Sequence, residues 1–275
     1  MALMMTSVRL IMALIQGILC RAQSPSSTKM PTSTHWSTSS SKSPYSVSPS
    51  SSTSWDQFSS PIEVENNEEF ASYWEAVRFV AISGKRKCGK DYFATFLRNE
   101  IQERLGQTAA IIHISGPIKR AYAEEHHLDL QKLMSSSAYK EDFRRQMVRW
   151  GEALRRKDPT VFCRKALEYL IQDSLVKPAF VIVADCRRPT DLEYFSSLSK
   201  DTPLLHLRIS ASPVTRRARG WIYTSGIDDA ETECALDSAP FDFLVVNESQ
   251  RTLNSSMFFV RRALSDNPIR KMMTV

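Results

Sequence analysis

Residues 78–105 limit the possible fold more than any other part of this sequence. They begin with RFVAIS, a short apolar run rich in strand-forming residues that ends at Ser83. The loop GKRKCGKD follows. In the next segment, DYFATFLRNEIQERL, large apolar residues recur at every fourth position, as on the buried face of a helix: Phe93, Leu97, Ile101 and Leu105. A strand, a glycine loop and a helix in this order predict a phosphate-binding loop.

The loop has the frame G-x-x-x-x-G-K, but Asp91 stands where the usual pattern has Ser or Thr as a contact for Mg²⁺. A carboxylate also suits Mg²⁺, and the helix dipole favours it in a first turn. Asp91 is therefore predicted as a metal ligand, with a helix cap as the alternative. Because backbone N–H groups of such loops turn towards phosphates, we expect these residues to bind a nucleotide: Gly84, Lys85, Arg86, Lys87, Cys88, Gly89, Lys90 and Asp91.

Apolar runs and helical patterns alternate along the following residues. Further strands are predicted at 109–114, 179–184, 204–209 and 241–246, and helices at 138–156, 162–171 and 252–264, with another opened by Gly116 and Pro117. Continuously apolar strands indicate burial on both faces, and intervening helices indicate parallel pairing. The predicted fold is α/β, with a five-stranded parallel sheet flanked by helices in a three-layer sandwich.

Ligands of such sheets bind at the carboxyl ends of the strands. Lys119 follows the second predicted strand. The third ends at Asp185, a position suited to a carboxylate that supports Mg²⁺, with a structural ion pair as the alternative. Arg187 and Arg188 come directly after it. These residues are therefore predicted to face one cleft.

A charged segment with glycines follows the fourth predicted strand and extends to Glu233. Its position and size predict a mobile lid that closes on the nucleotide. Arg216 and Arg219 lie one helical turn apart in it and are predicted to contact the transferring phosphoryl group. Asn247, after the fifth strand, is predicted to contact the nucleotide or the substrate.

Arginines are concentrated between residues 140 and 164. Guanidinium groups bind phosphate and carboxylate through two parallel hydrogen bonds, so this density predicts a site for a multiply anionic substrate. The alternative is a solvated helix face. The candidates for substrate binding in this stretch are Lys140, Arg144, Arg155 and Arg164.

Composition divides the chain of 275 residues into a tail and a domain. Residues 1–70 are predicted to be a disordered extension rich in Ser, Thr and Pro, 71–264 a phosphate-loop domain and 265–275 a flexible tail. Residues 1–60 contribute +3 of the net charge of +6, which weakens a nucleic-acid interpretation of the domain. Five cysteines without a C-x-x-C pair indicate a reducing compartment.

The amino terminus allows several interpretations. Residues 10–19 form an apolar run that is too short to span a bilayer. It suits the core of a signal peptide, while the basic, Ser-rich stretch after it suits an organelle transit peptide. The third interpretation is an extension without consequence for the fold.

Eight blocks together resemble animal-type phosphomevalonate kinases, which are phosphate-loop enzymes similar to nucleoside-monophosphate kinases. In order they are SGKRKCGKD, SGPIKRAYAEEH, YKEDFRRQMVRWGE, DPTVFCRKALE, VADCRRPTDLEYF, RRARGW, GIDDAETECALD and FDFLVVN. The resemblance extends over residues 77–264 and implies transfer of a phosphoryl group from ATP to (R)-5-phosphomevalonate with Mg²⁺. Two departures are Cys88, where the family has a small serine, and the segment after Asn247.

The resemblance also implies roles for individual residues. Lys90, Asp91, Arg187 and Arg188 would be catalytic. Substrate binding would involve Lys119, Lys140, Arg144, Arg187 and Arg188. ATP and its Mg²⁺ would be bound by Lys85, Arg86, Lys87, Lys90 and Asp91, while Asp185 stays a metal candidate from its strand-end position alone. Arg216, Arg219 and Asn247 match lid and ligand-contacting positions of the family.

We expect a monomer that acts on small molecules, without nucleic acid or stable membrane association. The expected location is the cytosol, with a peroxisome or an N-terminally targeted organelle as alternatives. Two other functions remain open: a dephospho-coenzyme-A or nucleoside-monophosphate kinase of the same fold, and a basic module that binds RNA or lipid.

Overall fold

The computed structural model describes residues 67–135, 138–200 and 202–265. The five strands of its sheet are β1 Arg78–Ser83, β2 Ala109–Ile112, β3 Phe180–Val183, β4 Leu205–Ser210 and β5 Phe243–Val246. Their order is β2-β3-β1-β4-β5, and every neighbouring pair is parallel. The predicted five-stranded parallel sheet is therefore confirmed.

Helices connect and flank the strands. Within the described ranges they are α1 Asn67–Trp74, α2 Lys90–Leu105, α3 Ser115–Glu125, α4 Leu130–Met134, α5 Ala138–Lys157, α6 Val161–Asp173, α7 Pro189–Leu198, α8 Pro213–Ala218, α9 Glu231–Cys234 and α10 Gln250–Ser265. The helices predicted from periodicity are α2, α5, α6 and α10, and each differs from its predicted bounds by no more than two residues at either end. The short helices α4, α8 and α9 have too few turns to show a period.

The second strand is shorter than predicted. β2 ends at Ile112, although the apolar run continues to Ile114. The N–H of Ile114 donates to Asp185 Oδ1 at 2.6 Å instead of joining the sheet. A side chain at the end of a neighbouring strand therefore ends β2, and the apolar pattern alone does not contain this information.

Two apolar layers cover the two faces of the sheet. Phe79 and Ala81 of β1 belong to one buried cluster with Phe162 of α6 and Phe195 of α7. Val80 and Ile82, which alternate with them, belong to a second cluster formed largely with α2 and α10. Alternate residues of a strand point to opposite faces, so both faces are buried and the three-layer sandwich is confirmed.

A smaller apolar cluster joins α3, α4 and α5 outside the sheet. Tyr122, Leu133 and Met147 are buried in it, and Phe143 and Trp150 pack against it from α5. Phe143, Met147 and Trp150, which recur on one face of α5, make these contacts. They fix the helix that carries Lys140, Arg144 and Arg155, whereas Arg164 lies on α6.

The described part of the chain begins with α1, four residues before the predicted domain start at residue 71. Trp74 of this helix is fully buried, and its ring lies 5.9 Å from that of Phe79 on β1. The predictions for residues 1–66 and 266–275 lie outside the described residues. Among the helices of the described ranges, none combines the length and apolarity needed to cross a bilayer.

Candidate active site

The loop between β1 and α2 has a backbone that requires its two glycines. Gly84 has φ 147° and Gly89 has φ 94°. A Cβ atom at Gly84 would lie 2.4 Å from the carbonyl oxygen of Ile209, and one at Gly89 would lie 2.3 Å from Asn247 Nδ2. The two glycines therefore let the loop pack closely against Ile209 and Asn247. We refer to the loop backbone of residues 84–89 as the cradle, because the N–H groups of such loops are the ones that bind phosphate oxygens.

Lys90 folds back over this loop. Its Nζ donates to the carbonyl oxygen of Gly84 at 2.6 Å and to that of Lys85 at 3.1 Å. Burial lowers the pKa of Lys90 from its ordinary value. Phosphate oxygens in the cradle would replace carbonyl oxygens as partners of this ammonium group, and they would favour its charged form.

Three predicted ligand-binding residues contact the loop backbone instead of standing free. Cys88 is buried, and its carbonyl oxygen accepts from Asn247 Nδ2 at 2.9 Å and from Arg219 Nη1 at 3.0 Å. Arg216 Nε donates to the carbonyl oxygen of Arg86 at 2.8 Å. These bonds fix the shape of the cradle. The ligand contacts of Arg216, Arg219 and Asn247 stay predictions.

An acidic segment, residues 228–237, pairs with the basic residues of the loop and of the β3 end. Its ion pairs are Lys85–Asp237 at 2.5 Å, Arg86–Asp228 at 2.9 Å, Arg188–Glu231 at 2.8 Å and Arg187–Glu233. Glu233 Oε2 also accepts from the N–H of Arg86 at 3.1 Å. Residues 228–233 of this segment belong to the predicted lid, and the remaining four residues follow it. The acidic segment therefore balances positive charge that phosphate groups would otherwise neutralise.

The sequence-based predictions give no individual role to these acids. The one feature of the sequence that could have indicated their importance is the local density of acids in DDAETECALD, which follows a segment rich in arginine. That density identifies no partner, because Asp228 and Arg86 are 142 residues apart.

Asp185 lies at the carboxyl end of β3, as predicted, and is buried. Its two oxygens accept from the N–H of Ile114 at 2.6 Å and of Ser115 at 3.1 Å, at the start of α3. Burial opposes ionisation, but His113, Arg187 and the Ser115 hydrogen bonds outweigh it and lower the pKa of Asp185. The carboxylate is therefore kept charged beside the cleft.

Lys119 and Lys140 belong to the same electrostatic environment. Burial lowers the pKa of Lys119, while Asp185 and Asp91 act in the opposite direction. Burial, followed by repulsion from Lys119 and Arg144, lowers the pKa of Lys140 to about 8. The structure thus brings together Lys119, Lys140 and Arg144 with the two predicted metal ligands.

The two carboxylates suit a metal that arrives with a nucleotide. The Asp91 side chain is 84% exposed, with Oδ1 3.8 Å from His113 Nδ1. Within the described ranges, no group of three or more His, Cys, Asp or Glu side chains could hold a metal ion. Mg²⁺ commonly takes one or two carboxylates together with waters and phosphate oxygens. Asp91 and Asp185 therefore fit Mg²⁺ bound to a phosphate chain.

Arg155 and Arg164 are held by acids. Arg155 Nη1 lies 3.0 Å from Asp191 Oδ1, and Arg164 Nη2 lies 2.9 Å from Asp158 Oδ2. Arg155 also lines a cavity of about 350 Å³ together with Arg188. The other residues that line it are Glu152, Arg156, Pro159, Thr190 and Glu231. Arg164 is not among them, and substrate binding by both arginines stays a prediction.

Comparison with known proteins identifies the family. A family model described as phosphomevalonate kinase matches residues 82–201. A phosphomevalonate kinase of Drosophila melanogaster is 39% identical over 176 residues, which are 63% of this chain and 90% of that protein. A solved shikimate kinase from Acinetobacter baumannii in complex with shikimate has 12% identity and a TM-score of 0.38, covering 72% of this chain and 99% of that one. That likeness is too weak to bear on function. The sequence matches show that this chain belongs to the phosphomevalonate kinase family.

Proposed function

We propose that this chain transfers the γ-phosphoryl group of ATP to (R)-5-phosphomevalonate, giving 5-diphosphomevalonate and ADP in the mevalonate pathway. The family membership supports ATP as donor and a small molecule as acceptor. The observation that carries the proposal is the meeting of a glycine cradle, several cations and two carboxylates at the carboxyl ends of β1 and β3. Two polyanionic substrates require such a concentration of positive charge.

The loop residues 84–91 would bind the ATP phosphates. Backbone N–H groups and the start of α2 would face the phosphate oxygens, and Lys90 would move from its loop carbonyls to the β- and γ-phosphates. Lys85, Arg86 and Lys87 would add positive charge around them. Asp91 and Asp185 would hold Mg²⁺ directly or through water, and the ion would neutralise the phosphate oxygens when bound.

The acceptor requires alignment more than proton transfer. Its phosphate is ionised near neutral pH, so no general base is needed to make it nucleophilic. Lys119, Lys140, Arg144, Arg187 and Arg188 would hold it in line and neutralise the equatorial oxygens as charge shifts between them. This fits a site in which lysine and arginine outnumber other polar residues.

Arg216 and Arg219, the arginines of the predicted lid, would assist the reaction by holding the phosphate loop in position. Arg216 and Arg219 already hold loop carbonyls, and Asn247 holds the same oxygen as Arg219. We propose that they keep the cradle in its phosphate-binding shape and that the acidic segment moves from the loop as ATP binds. Opening of Arg86–Asp228 and Arg187–Glu233 would release both guanidinium groups for phosphate.

A substrate panel tests the proposal. The full chain is incubated with ATP and Mg²⁺ and with phosphomevalonate, dephospho-coenzyme A or AMP, and ADP formation is followed. We expect turnover with phosphomevalonate and at most trace turnover with the others. Turnover only with dephospho-coenzyme A or AMP would instead support the alternative, another phosphate-loop kinase of the same fold.

We further propose a monomer in the cytosol that binds neither nucleic acid nor membranes stably. The small net charge contributed by residues after position 60 supports this proposal. Light scattering and fractionation of cells test it, and an organellar location or a stable oligomer would contradict it.

A further inference from the structure

Asp191 is a fully buried carboxylate for which the proposed reaction gives no role. Its Oδ1 accepts from Arg155 Nη1 at 3.0 Å, and its Oδ2 accepts from the backbone N–H groups of Arg187 at 2.9 Å and Arg188 at 3.1 Å. One carboxylate therefore contacts three arginines that are predicted to bind substrate or act in catalysis. Two are contacted through the backbone and one through its guanidinium group.

We propose that Asp191 is a positioning residue for the acceptor substrate: it holds Arg155 and the Arg187–Arg188 turn in one fixed arrangement. This inference rests on the proposed function, because it assumes that these arginines bind the anionic acceptor. Asp191 itself has no exposed surface and acts only through its neighbours.

The contacts exceed what a helix start requires. Asp191 is the third residue of α7, and its Oδ2 accepts from the N–H of Arg188, the residue directly before the helix, as an acidic residue at this position commonly does. Acceptance from the Arg187 N–H fixes one more peptide of the turn, and the pair with Arg155 reaches another helix, α5. A buried charge is tolerated only with such partners. The Arg155 guanidinium also lies over the ring of Phe162, 5.2 Å from its centre.

Two of the three arginines line a cavity in which an anionic acceptor would bind. These two residues are Arg155 and Arg188. Asp191 holds Arg155 from the buried side, and Arg188 Nη2 lies 2.6 Å from Glu152 Oε2. Arg188 Nη1 also pairs with Glu231 at 2.8 Å, so movement of the acidic segment would free this group towards the cavity. Guanidinium groups held in a fixed position suit a phosphate or a carboxylate. Both groups occur on phosphomevalonate.

The variant Asp191→Asn tests the proposal in the full chain. Asparagine has nearly the same shape and keeps one oxygen for the backbone N–H groups, but it loses the charge that holds Arg155. We expect the KM for phosphomevalonate to rise at least about tenfold, as for loss of a charge-assisted contact, while the KM for ATP stays within about threefold. Equal increases in both KM values would show a general structural role and overturn the proposal.

Asp129→Asn is the matched control. Asp129 caps the short helix α4 by accepting from the N–H of Lys132 at 3.1 Å, and its side chain is partly exposed. Loss of its charge should leave both KM values unchanged. An increase in the acceptor KM of this control like that of Asp191→Asn would overturn the proposal, because any weakened helix cap would then have the same effect.

A double-mutant cycle identifies the residue through which Asp191 acts. We expect Arg155→Met and Arg155→Met with Asp191→Asn to have acceptor KM values within about threefold, because Arg155 is already lost in both. A further tenfold increase in the double variant would overturn the assignment to Arg155. If a single variant does not fold, the double variant, which leaves no unpaired buried charge, is compared with the wild-type chain, and the same selective rise in the acceptor KM is expected.

A readout without catalysis separates this proposal from the proposed function. The side-chain ¹⁵N–¹H signals of Arg155, assigned with Arg155→Met, should show restricted rotation in the wild-type chain and free rotation in Asp191→Asn. An unchanged signal would overturn the positioning role even with an active enzyme. If the wild-type chain does not phosphorylate phosphomevalonate, the proposed function fails, and the signal still decides whether Asp191 fixes Arg155.

Discussion

At the scale of single residues, the structure gives the charged groups of the site different tasks. Lys90 is held by loop carbonyls, Asp185 by backbone N–H groups, and Asp91 is exposed. Burial, followed by repulsion from neighbouring cations, lowers the pKa of Lys140 to about 8. Each of these differences is tested by a separate experiment. Loss of the fixed Lys90 should affect turnover, loss of the exposed Asp91 should affect the Mg²⁺ requirement, and titration of Lys140 should affect the KM for the acceptor.

Lys90→Met should abolish most turnover while the fold remains. The variant loses two hydrogen bonds, from the ammonium group to loop carbonyls at 2.6 and 3.1 Å. Both carbonyls belong to partly exposed residues, so water can donate to them in its place. Its charge is needed most when the phosphoryl group transfers, so we expect kcat to fall by about 10²–10³-fold. Steady-state kinetics and thermal unfolding measure both effects. Turnover like that of the wild type would contradict the role of Lys90.

Asp91→Asn should weaken the use of Mg²⁺ more than it weakens the protein. The carboxylate is 84% exposed, so the loss of its interaction with the helix dipole should cost no more than about 1 kcal/mol of unfolding free energy. We expect the concentration of Mg²⁺ needed for half-maximal rate to rise about tenfold. An unchanged Mg²⁺ requirement would show that Asp91 only stabilises the start of α2.

Lys140 should make acceptor binding depend on pH. Its pKa is about 8 in the free protein, and a bound anion favours the charged form and raises that pKa. Binding therefore takes up a proton above pH 8, and affinity decreases as pH rises through the pKa of the free protein. We expect the KM for phosphomevalonate to increase up to about fivefold between pH 8 and pH 9.

Lys140→Arg is the control for this pH effect, because its guanidinium group stays charged over the whole range. Its KM should not vary between pH 8 and pH 9. A wild-type KM that is also constant over that interval would contradict the assignment of the titration to Lys140.

At the scale of elements, the phosphate loop and the acidic segment form one unit held together by distant parts of the chain. Cys88 accepts from Arg219, 131 residues away, and from Asn247, 159 residues away. The loop shape therefore depends on α8 and on the end of β5 as well as on its own glycines. Changes in the loop backbone should affect ATP before they affect the acceptor.

Gly89→Ala should impair ATP binding. Its φ of 94° disfavours a side chain, and a Cβ would lie 2.3 Å from Asn247 Nδ2. The strain costs about 1–3 kcal/mol, and displacement of Asn247 would release the Cys88 carbonyl. We expect a rise of at least about tenfold in the KM for ATP, corresponding to about 1.4 kcal/mol.

Gly106→Ala is the matched control for the loop. Gly106 follows α2 and also has a positive φ of 63°, but no atom lies within 4 Å of its Cβ position. The Gly106→Ala variant should lose a similar amount of unfolding free energy, because its φ is also positive, without a change in the KM for ATP. If both variants change the KM for ATP equally, the effect of Gly89 comes from stability and not from the cradle.

At the scale of the whole molecule, the sheet and its two apolar layers should fold without residues 1–66. Trp74 of α1 is fully buried and packs on Phe79 of β1, so the domain needs α1. A chain that begins at residue 67 should keep its unfolding temperature and kcat. A chain that begins at residue 77 should lose about 3–5 kcal/mol, the cost of removing a buried Trp. Equal stability of the two chains would contradict this boundary.

The α/β class, the five strands and the position of the phosphate loop could be predicted from the amino-acid sequence. These features are local: the apolar runs, the fourfold spacing on α2 and the glycine frame each lie within a few residues of one another. The carboxyl ends of parallel strands meet at one edge, so the same patterns also predicted that Lys119 and Asp185 share a cleft with the loop.

The contacts of the charged residues could not be predicted in this way and depend on the folded arrangement of the chain. Arg155 pairs with buried Asp191, Arg216 and Arg219 hold loop carbonyls, and Glu233 joins Arg187 to the loop. From the sequence, each arginine is an equally good candidate to bind phosphate, because the residue type does not show which acid an arginine pairs with. Partners are selected by burial and by packing between segments more than a hundred residues apart, which no local pattern encodes.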